Sequence, residues 1–509
     1  MARNTTGRRW VTARKIVQYL TLAVFLAMFL GTRRGGWPAT LVNIPIRLDP
    51  LTVLANSLAS RKFLAGSALA IGVVLLTIIL GRAWCGWICP LGTTLDLISP
   101  PRAAKGARPE RFAWRGVKYG LLFVMIAAAL LGNLTLLFLD PLTIFIRTLT
   151  IGVWPALDQI VMAGEKILVK VHLFSNPVLS FDNAVRPAVL PYAPVFYREV
   201  ALFAAFFVAI LALNWLEKRF WCRYLCPLGG LLGLLSKLAI FRREVSEECK
   251  GCALCAPACP TGTIDPARNF ASDPAECTMC LDCLEACPRS RITFAPGLKL
   301  AEKREYDPGR RQALLAIGAS IAGVAVLRSD MIARREHPHR VQPPGGREND
   351  LLAKCVRCGE CLRVCPTGGL QPAIAELGLE GMWTPVLVPR LGYCDYSCNA
   401  CGQVCPTEAN PNLSLEQKRQ AIIGSAYIDE KRCLAWADHI ECIVCEEMCP
   451  LAQKAITLDT AEVTNSDGEV TSIPLPKVNR DLCIGCGICE YKCPVNGEAA
   501  IRVYSPLEI

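Results

Sequence analysis

Apolar stretches separate the polar segments of this chain, and their lengths predict membrane helices. Five stretches stand out, at Ile16–Leu30, Phe63–Leu80, Gly120–Leu139, Val200–Leu216 and Gln312–Leu327. The second and third have the length and the lack of charge of helices that span a bilayer, whereas the others lie at or below the lower limit of length. We predict a membrane domain built on the first four helices and one further helix at the fifth stretch.

Another apolar patch, Leu142–Val161, follows the third stretch. Arg147, Pro155 and Asp158 interrupt it, which is typical of an interfacial or re-entrant segment. We favour the interfacial interpretation, because an additional span would reverse the orientation of every later segment.

The membrane region repeats itself along the chain. Leu-Asp-Pro-Leu-Thr occurs at 48–52 and again at 139–143, ahead of the second and fourth helices. Both helices end at Trp-Cys-x-x-x-Cys-Pro-Leu-Gly, at 84–92 and 221–229. Two motifs that recur in the same order predict two helical hairpins of the same orientation, as in parallel repeats related by an axis along the membrane normal.

Basic residues beside the apolar segments set the predicted orientation. The chain has 509 residues, of which 52% are hydrophobic and only 19% are charged, and its formal net charge is +11. Lys and Arg precede the first helix and follow the second and fourth, which is typical of cytoplasmic flanks rather than of a surface that binds nucleic acid. The N-terminus and both of these flanks are therefore expected in the cytoplasm.

The 28 cysteines predict iron–sulfur clusters rather than disulfides, because most lie in C-x-x-C runs too tight to be bridged sensibly. Two groups with the spacing C-x-x-C-x-x-C-x-x-x-C-P predict a ferredoxin domain: Cys249, Cys252, Cys255 and Cys259, then Cys277, Cys280, Cys283 and Cys287. In such runs the fourth cysteine ligates the other cluster. We expect Cys287 in the first site and Cys259 in the second. Paired zinc knuckles are the alternative, which two complete runs disfavour.

Four further groups, each ending in Cys-Pro, predict a second domain with four [4Fe–4S] clusters. They are Cys355, Cys358, Cys361 and Cys365; Cys394, Cys398, Cys401 and Cys405; Cys433, Cys442, Cys445 and Cys449; and Cys483, Cys486, Cys489 and Cys493. The second group has one extra residue and the third an inserted loop. Pairing the first group with the fourth and the second with the third would unite these two irregular groups. The alternative pairs the first with the second and the third with the fourth.

Four cysteines are left over, and they belong to the repeated membrane motif: Cys85, Cys89, Cys222 and Cys226. Each pair has the spacing i, i+4, which puts both thiols on one helical face. Three interpretations stay open at this point. The four form one shared metal or cluster site, they perform thiol–disulfide chemistry, or each Cys-Pro only ends a helix.

Several other classes of redox or catalytic site are missing from the sequence. It contains no C-x-x-C-H motif for haem attachment, no Gly-rich dinucleotide fingerprint and no P-loop. Its histidines, which are His172, His337, His339 and His439, all lie outside the five predicted helices, so two of them cannot hold a haem within the membrane. We expect no catalytic residue of the hydrolytic type; the chain transfers electrons.

The order of these motifs resembles known membrane ferredoxins. The first three hundred residues, with paired C-x-x-x-C-P motifs and a bicluster ferredoxin, resemble NapH-type proteins, which are related to the C-terminal part of NosR. The remainder, from Arg310-Arg311-Gln312-Ala313-Leu314-Leu315 through Gln342-Pro343-Pro344-Gly345 to the last cysteine group, resembles NapG/MauM-type ferredoxins. The chain looks like a fusion of the two. It departs from the twin-arginine export pattern at Gly309 and Ala313.

The resemblance implies transfer of electrons from quinol to a periplasmic redox enzyme, as a quinol dehydrogenase of the inner membrane. Methylamine-utilisation relatives share the layout, so it does not imply nitrate as the final acceptor. The N-terminus and the first ferredoxin domain would be cytoplasmic and the C-terminal domain periplasmic. Two alternatives are a maturation factor that reduces a metal or thiol site in a client protein, and a conduit from ferredoxin to quinone.

The sequence thus predicts a multi-domain protein in which a helical membrane domain is joined to α+β modules of the bacterial ferredoxin type. The predicted boundaries are 1–243 for the membrane domain, 244–298 for the first ferredoxin domain, 299–350 for a basic flank, the fifth helix and an exposed linker, and 351–509 for the domain with four cysteine groups. Expected cofactors are six [4Fe–4S] clusters, with quinol as substrate.

Overall fold

The computed structural model describes residues 5–99, 114–170, 195–297 and 341–505, apart from 34, 64–65, 250, 375–377 and 465–469, together with a few single residues between these ranges. The chain forms two compact units. The first contains Met1–Gly31, Thr40–Thr148 and Ala201–Arg328, and the second contains Thr32–Ala39, Leu149–Val200 and Ser329–Ile509. Residues 149–200, which we expected in the membrane domain, therefore cluster with the C-terminal domain.

Helices dominate the membrane part of the chain. The α-helices are Thr5–Gly31, Ala39–Val42, Ile44–Arg47, Pro50–Ser60, Ala68–Leu80, Ala83–Trp87, Pro90–Leu97, Arg115–Leu130, Pro141–Thr148, Trp154–Lys170, Val200–Leu216 and Pro227–Ser236. A 3-10 segment at Thr135–Leu139 and π segments at Leu149–Val153 and Trp221–Leu225 complete the set.

Two helices of the described part are long and apolar enough to cross a membrane, Thr5–Gly31 and Pro141–Lys170. The second contains the patch that we predicted to be interfacial, and 56% of its most apolar window is buried inside the protein. The helices Ala68–Leu80 and Val200–Leu216 are shorter. The predicted helix at Gln312–Leu327 lies almost entirely outside the described residues.

The third predicted span, Gly120–Leu139, is interrupted in the structure. The helix ends at Leu130, because Gly132 adopts a left-handed conformation with φ of 79°. The side chain of Asn133 then accepts a hydrogen bond from the backbone N–H of Thr135 and starts a 3-10 turn. A hydropathy pattern records neither event, so the helix is shorter than predicted.

Two aspartates of the repeated Leu-Asp-Pro-Leu-Thr motif each cap a helix. Asp49 accepts hydrogen bonds from the N–H groups of Leu51 and Thr52, at 2.8 and 3.3 Å. Asp140 does the same for Leu142 and Thr143, at 2.9 and 3.1 Å. Both carboxyl groups are fully buried, and they are electrostatic neighbours of each other. The sequence repeat is therefore also a repeat of local structure.

The first ferredoxin module is built from short strands and one-turn helices. Its strand Phe241–Val245 pairs antiparallel with Ile292–Pro296, and Ile264–Asp265 pairs with Ala271–Ser272. The helices are Cys255–Ala258 and Asp282–Ala286. The N-terminal helix packs on the second of these: Arg14 forms an ion pair with Asp282 at 3.0 Å.

The C-terminal domain has the same kind of construction. Its helices are Glu348–Lys354, Glu360–Val364, Ala400–Gln403, Leu415–Gln420, Leu434–Ala437, Val444–Glu447 and Ile488–Lys492. Antiparallel strand pairs are Leu370–Pro372 with Pro385–Leu387, Ser425–Ile428 with Ile501–Tyr504, and Ile456–Thr464 with Val470–Val478. The predicted linker is not exposed at its described end, since Val341, Pro343 and Pro344 are buried.

Candidate iron–sulfur sites

The cysteines of the first ferredoxin module lie in its core. Cys255, Cys283 and Cys287 are buried together with Ile264, Phe270 and Ile292, and Cys249 and Cys259 pack against this cluster. Cys259 is an electrostatic neighbour of all three leading cysteines of the second group, which are Cys277, Cys280 and Cys283. The fourth cysteine of the first group thus lies with the second group, in the crosswise arrangement that its spacing predicts.

Each C-terminal cysteine of these two groups ends a short helix. Cys259 follows Cys255–Ala258 and Cys287 follows Asp282–Ala286, both in an extended conformation before proline. Proline cannot continue a helix, and it also disfavours the helical conformation of the residue before it. The Cys-Pro pair therefore turns the chain away from its own group and toward the neighbouring one.

Four cavities in the C-terminal domain are each lined by four cysteines. The sets are Cys355, Cys358, Cys361 and Cys405; Cys365, Cys394, Cys398 and Cys401; Cys433, Cys442, Cys445 and Cys493; and Cys449, Cys483, Cys486 and Cys489. The first group thus exchanges its fourth cysteine with the second, and the third with the fourth. The structure brings together the pairs of our alternative arrangement, and the first-with-fourth arrangement does not occur.

The lining of these cavities fits an iron–sulfur cluster. Apart from the cysteines, apolar side chains form most of the lining. Four thiols around one apolar cavity are the donor set of a [4Fe–4S] cluster.

Burial keeps the free thiols protonated. It raises the pKa of Cys355 to about 11 and that of Cys394 to about 11. A cluster is ligated by thiolates, so the positive charge of iron must displace these protons, and assembly releases them. Acidic conditions are therefore expected to oppose assembly and alkaline conditions to favour it.

A backbone hydrogen bond connects the two bicluster modules. The N–H of Cys394 donates to the carbonyl of Cys486 at 2.8 Å, and the two thiols are electrostatic neighbours. Within the modules, Cys361 neighbours Cys401, and Cys489 neighbours Cys445. We name each site after the first cysteine of the group that supplies three of its thiols: the Cys355, Cys394, Cys433 and Cys483 sites. The contacts place these sites in the order Cys355, Cys394, Cys483 and Cys433, which differs from the order of the cysteine groups along the chain.

Residues that the sequence did not single out contact the segment that carries the Cys355 site. The guanidinium group of Arg363 stacks on Trp154, 4.5 Å from the ring centroid. The hydroxyl of Tyr197 donates to the carbonyl of Leu362 at 3.1 Å, and the N–H of Arg198 donates to the side chain of Gln371 at 2.9 Å. Residues 149–200 contain no cysteine, so nothing in the sequence indicates that they contact a cluster site.

The four cysteines of the membrane motif also come together. Cys85, Cys89, Cys222 and Cys226 are buried, with exposed fractions of 7, 5, 6 and 4%, and each of the two repeats supplies two of them. Cys89 and Cys226 are electrostatic neighbours of cysteines in the other repeat.

Comparison with known proteins follows the same division of the chain. A family model described as a 4Fe-4S binding domain matches residues 63–108 and again 200–246, the two segments with the C-x-x-x-C-P motif. A 4Fe-4S dicluster domain matches residues 440–496. The methylamine utilization ferredoxin-type protein MauM of Methylorubrum extorquens is 36% identical over 208 residues, which are 39% of this chain and 89% of that protein. This chain belongs to the MauM and NapG family of ferredoxin-type proteins.

Other relatives extend the likeness. The ferredoxin-type protein NapG of Haemophilus influenzae is 32% identical over 215 residues, 40% of this chain and 75% of that protein. The putative electron transport protein YccM of Escherichia coli is 28% identical over 267 residues, 51% of this chain and 64% of that protein. No solved structure matches. The predicted NapG/MauM-type resemblance is confirmed, and with it a function in iron–sulfur electron transfer.

The exchange of fourth cysteines in this NapG/MauM-type domain can be tested by single substitutions. Cys405→Ser is expected to change the same cluster as Cys355→Ser, because both cysteines line one cavity. Cys365→Ser, the matched change at the other fourth cysteine, should change the Cys394 site instead. Mössbauer and EPR spectra of the anaerobic proteins report which cluster is altered. A common change in Cys405→Ser and Cys394→Ser would contradict the exchange.

Proposed function

We propose that this protein is a membrane-bound conduit that takes electrons from quinol and passes them through six [4Fe–4S] sites toward a periplasmic redox enzyme. The observation that supports it best is the continuous series of four cysteine-lined sites in the C-terminal domain, joined by the Cys394–Cys486 hydrogen bond. The clusters supply one-electron chemistry when bound, and the protein supplies ligands, order and burial. Oxidation of quinol delivers two electrons and releases two protons, so the sites accept the electrons one at a time.

Exposed apolar side chains support a membrane location. Large apolar side chains are exposed on several helices of the membrane part. Examples are Leu20, Leu75, Val208 and Trp215, which are 62, 54, 60 and 71% exposed. Large contiguous apolar surfaces are uncommon on soluble monomers. Contact with lipid accounts for them, in agreement with the predicted multi-pass location in the inner membrane.

The start of the helix Thr5–Gly31 supports the proposed location of the first ferredoxin module. Gly7, near this start, packs against the backbone of Leu284 and Glu285 in that module. Basic residues ahead of the helix favour a cytoplasmic N-terminus, so the module that it contacts is cytoplasmic as well. In the proposed topology the C-terminal domain is periplasmic, as the resemblance to NapG-type ferredoxins implies.

Protease added to intact spheroplasts tests this topology. We expect degradation of residues beyond about Arg328, since a periplasmic domain is accessible, while Cys249–Cys287 stay protected until the cells are lysed. Antibodies against a tag at each end of the chain report the two outcomes separately. Complete protection of the C-terminal domain in intact spheroplasts, followed by its degradation after lysis, would show that the domain and its partner enzyme are cytoplasmic.

The Cys355 and Cys433 sites are the two ends of the proposed relay. Trp154 and Tyr197 contact the segment that carries the first of these sites, and Trp154 follows closely on the helix Pro141–Thr148 in sequence. At the other end, the loop inserted between Cys433 and Cys442 is exposed, and Ile440 is 54% accessible. We therefore assign entry of electrons to the Cys355 site and exit to the Cys433 site.

A further inference from the structure

The four cysteines of the membrane motif have no part in the relay just described, yet their surroundings are highly ordered. The backbone N–H of Gly229 donates to the sulfur of Cys226 at 3.2 Å, and the backbone of Gly92 is the corresponding neighbour of Cys89 in the other repeat. Each sulfur thus lies at the N-terminus of a helix, Pro227–Ser236 or Pro90–Leu97. The positive end of a helix favours negative charge on both sulfurs, and the donated hydrogen bond favours it further on Cys226.

Two arginines cross between the repeats around these sulfurs. Arg82 of the first repeat donates to the carbonyl of Cys222 at 3.4 Å, and Arg219 of the second donates to the carbonyl of Cys85 at 3.0 Å. Both guanidinium groups are completely buried, and Nε of Arg82 has no hydrogen-bond partner. The two repeats therefore hold one common site between them.

The charge around this site calls for an anion. Arg82 and Lys118 share the single carboxylate of Glu276, at 3.2 and 2.6 Å, and all three side chains are buried. Two buried cations on one carboxylate leave an excess positive charge, which is costly unless a negative group compensates it. Four neutral thiols do not compensate it. An iron–sulfur cluster with four thiolate ligands is anionic and does.

The site also touches the first ferredoxin module. The indole N–H of Trp87 donates to the carbonyl of Met279 at 2.8 Å. A Cβ atom at Gly86 would lie 2.1 Å from the carbonyl oxygen of Thr278, so only glycine permits this approach. Thr278 and Met279 lie between Cys277 and Cys280, two leading cysteines of one ferredoxin site. The backbone between Cys85 and Cys89 is thus in direct contact with the backbone of that site.

We propose that Cys85, Cys89, Cys222 and Cys226 together bind a seventh cluster of the [4Fe–4S] class, which exchanges electrons with the neighbouring ferredoxin site that contains Cys277. Each segment that matches the 4Fe-4S binding family supplies only two cysteines, so one cluster must be shared by both. Its role in electron transfer rests on the proposed function, but its presence does not.

Metal analysis of anaerobically purified protein tests the proposal without any turnover. Six clusters give about 24 irons and as many acid-labile sulfides, whereas seven give about 28. We expect about 28 in the wild type and about four fewer in Cys85→Ser or Cys222→Ser. The double variant should lose no more than either single variant, because both cysteines serve one cluster.

The control variant Cys280→Ser should lose a different cluster and keep the Mössbauer component that is missing from Cys85→Ser and Cys222→Ser. If Cys85→Ser and Cys222→Ser do not yield folded protein, the iron content of the wild type alone decides. About 24 irons in the wild type would overturn the proposal. Stoichiometric zinc, or four thiols that all react with an alkylating agent in native, anaerobic protein, would overturn it as well. A count of about 28 in protein that does not oxidise quinol would keep the seventh cluster and reject the proposed function.

Discussion

Cys486→Ala is expected to stop delivery of electrons to the partner enzyme while the Cys355 and Cys394 sites are still reduced. Cys486 lines the Cys483 site, and its carbonyl accepts the hydrogen bond from Cys394 that joins the two modules. Loss of this site separates the Cys394 site from the Cys433 site. With a quinol analogue as donor, the Cys355 and Cys394 sites should be reduced and the Cys433 site should stay oxidised, as EPR of rapidly frozen samples would record.

The variant Cys442→Ala gives the matched comparison. It removes the last site, so delivery to the partner is lost while the other three sites of the C-terminal domain are reduced. Ser397→Ala changes an exposed side chain beside Cys398 and should behave as the wild type. Reduction of the Cys433 site in Cys486→Ala would contradict the proposed order, because it would require the relay to follow the order of the groups along the chain.

Glu276→Gln is expected to destabilise the first unit strongly. Its carboxylate accepts hydrogen bonds from Lys118 at 2.6 Å, from Arg82 at 3.2 Å and from Tyr119 at 3.1 Å. The amide would remove the carboxylate charge that bonds directly to these two buried cations, and breaking such a buried arrangement costs roughly 3–5 kcal/mol. A large fall in the unfolding temperature of the detergent-solubilised protein would show this.

The same change at an exposed ion pair provides the control for Glu276→Gln. Glu248 pairs with Arg291, and both side chains are about half exposed or more. Surface pairs of this kind contribute at most about 1 kcal/mol, so Glu248→Gln should unfold close to the wild-type temperature. Equal shifts in the two variants would show that the buried network contributes no more than a surface contact.

Spacing along the chain is enough to predict the six cysteine groups, because closely spaced thiols and a cysteine before proline are a local property. It did not decide how the last four groups exchange their fourth cysteines. That choice depends on which strands and helices pack together, and the pairing that joined the two irregular groups was wrong. The contact between Cys394 and Cys486 has no sequence signal, since backbone groups of any residue can make it.

Hydropathy located the apolar helices but overestimated some of their lengths. The helix predicted at Phe63–Leu80 begins only at Ala68, and the one predicted at Gly120–Leu139 ends at Leu130. Apolar residues continue beyond both boundaries, so composition does not indicate where hydrogen bonding stops. The buried cations Arg82 and Arg219 belong to segments that we interpreted as ordinary basic flanks, although each is bonded inside the fold.

The crossed bonds from Arg82 to Cys222 and from Arg219 to Cys85 have the form of a two-fold symmetric subunit interface, in which residue i of one copy contacts residue j of the other and the reverse. Asp49 and Asp140 occupy equivalent positions in the two repeats and are neighbours. In a symmetric dimer, a residue on the two-fold axis is likewise the neighbour of its own copy in the partner subunit. A protein with only one such hairpin would have half of each feature and would need a second copy to complete it. Because one chain carries both repeats, the shared cysteine site does not depend on protein concentration, and the equivalent arginines bond to different carboxylates: Arg82 to Glu276 and Arg219 to Asp96.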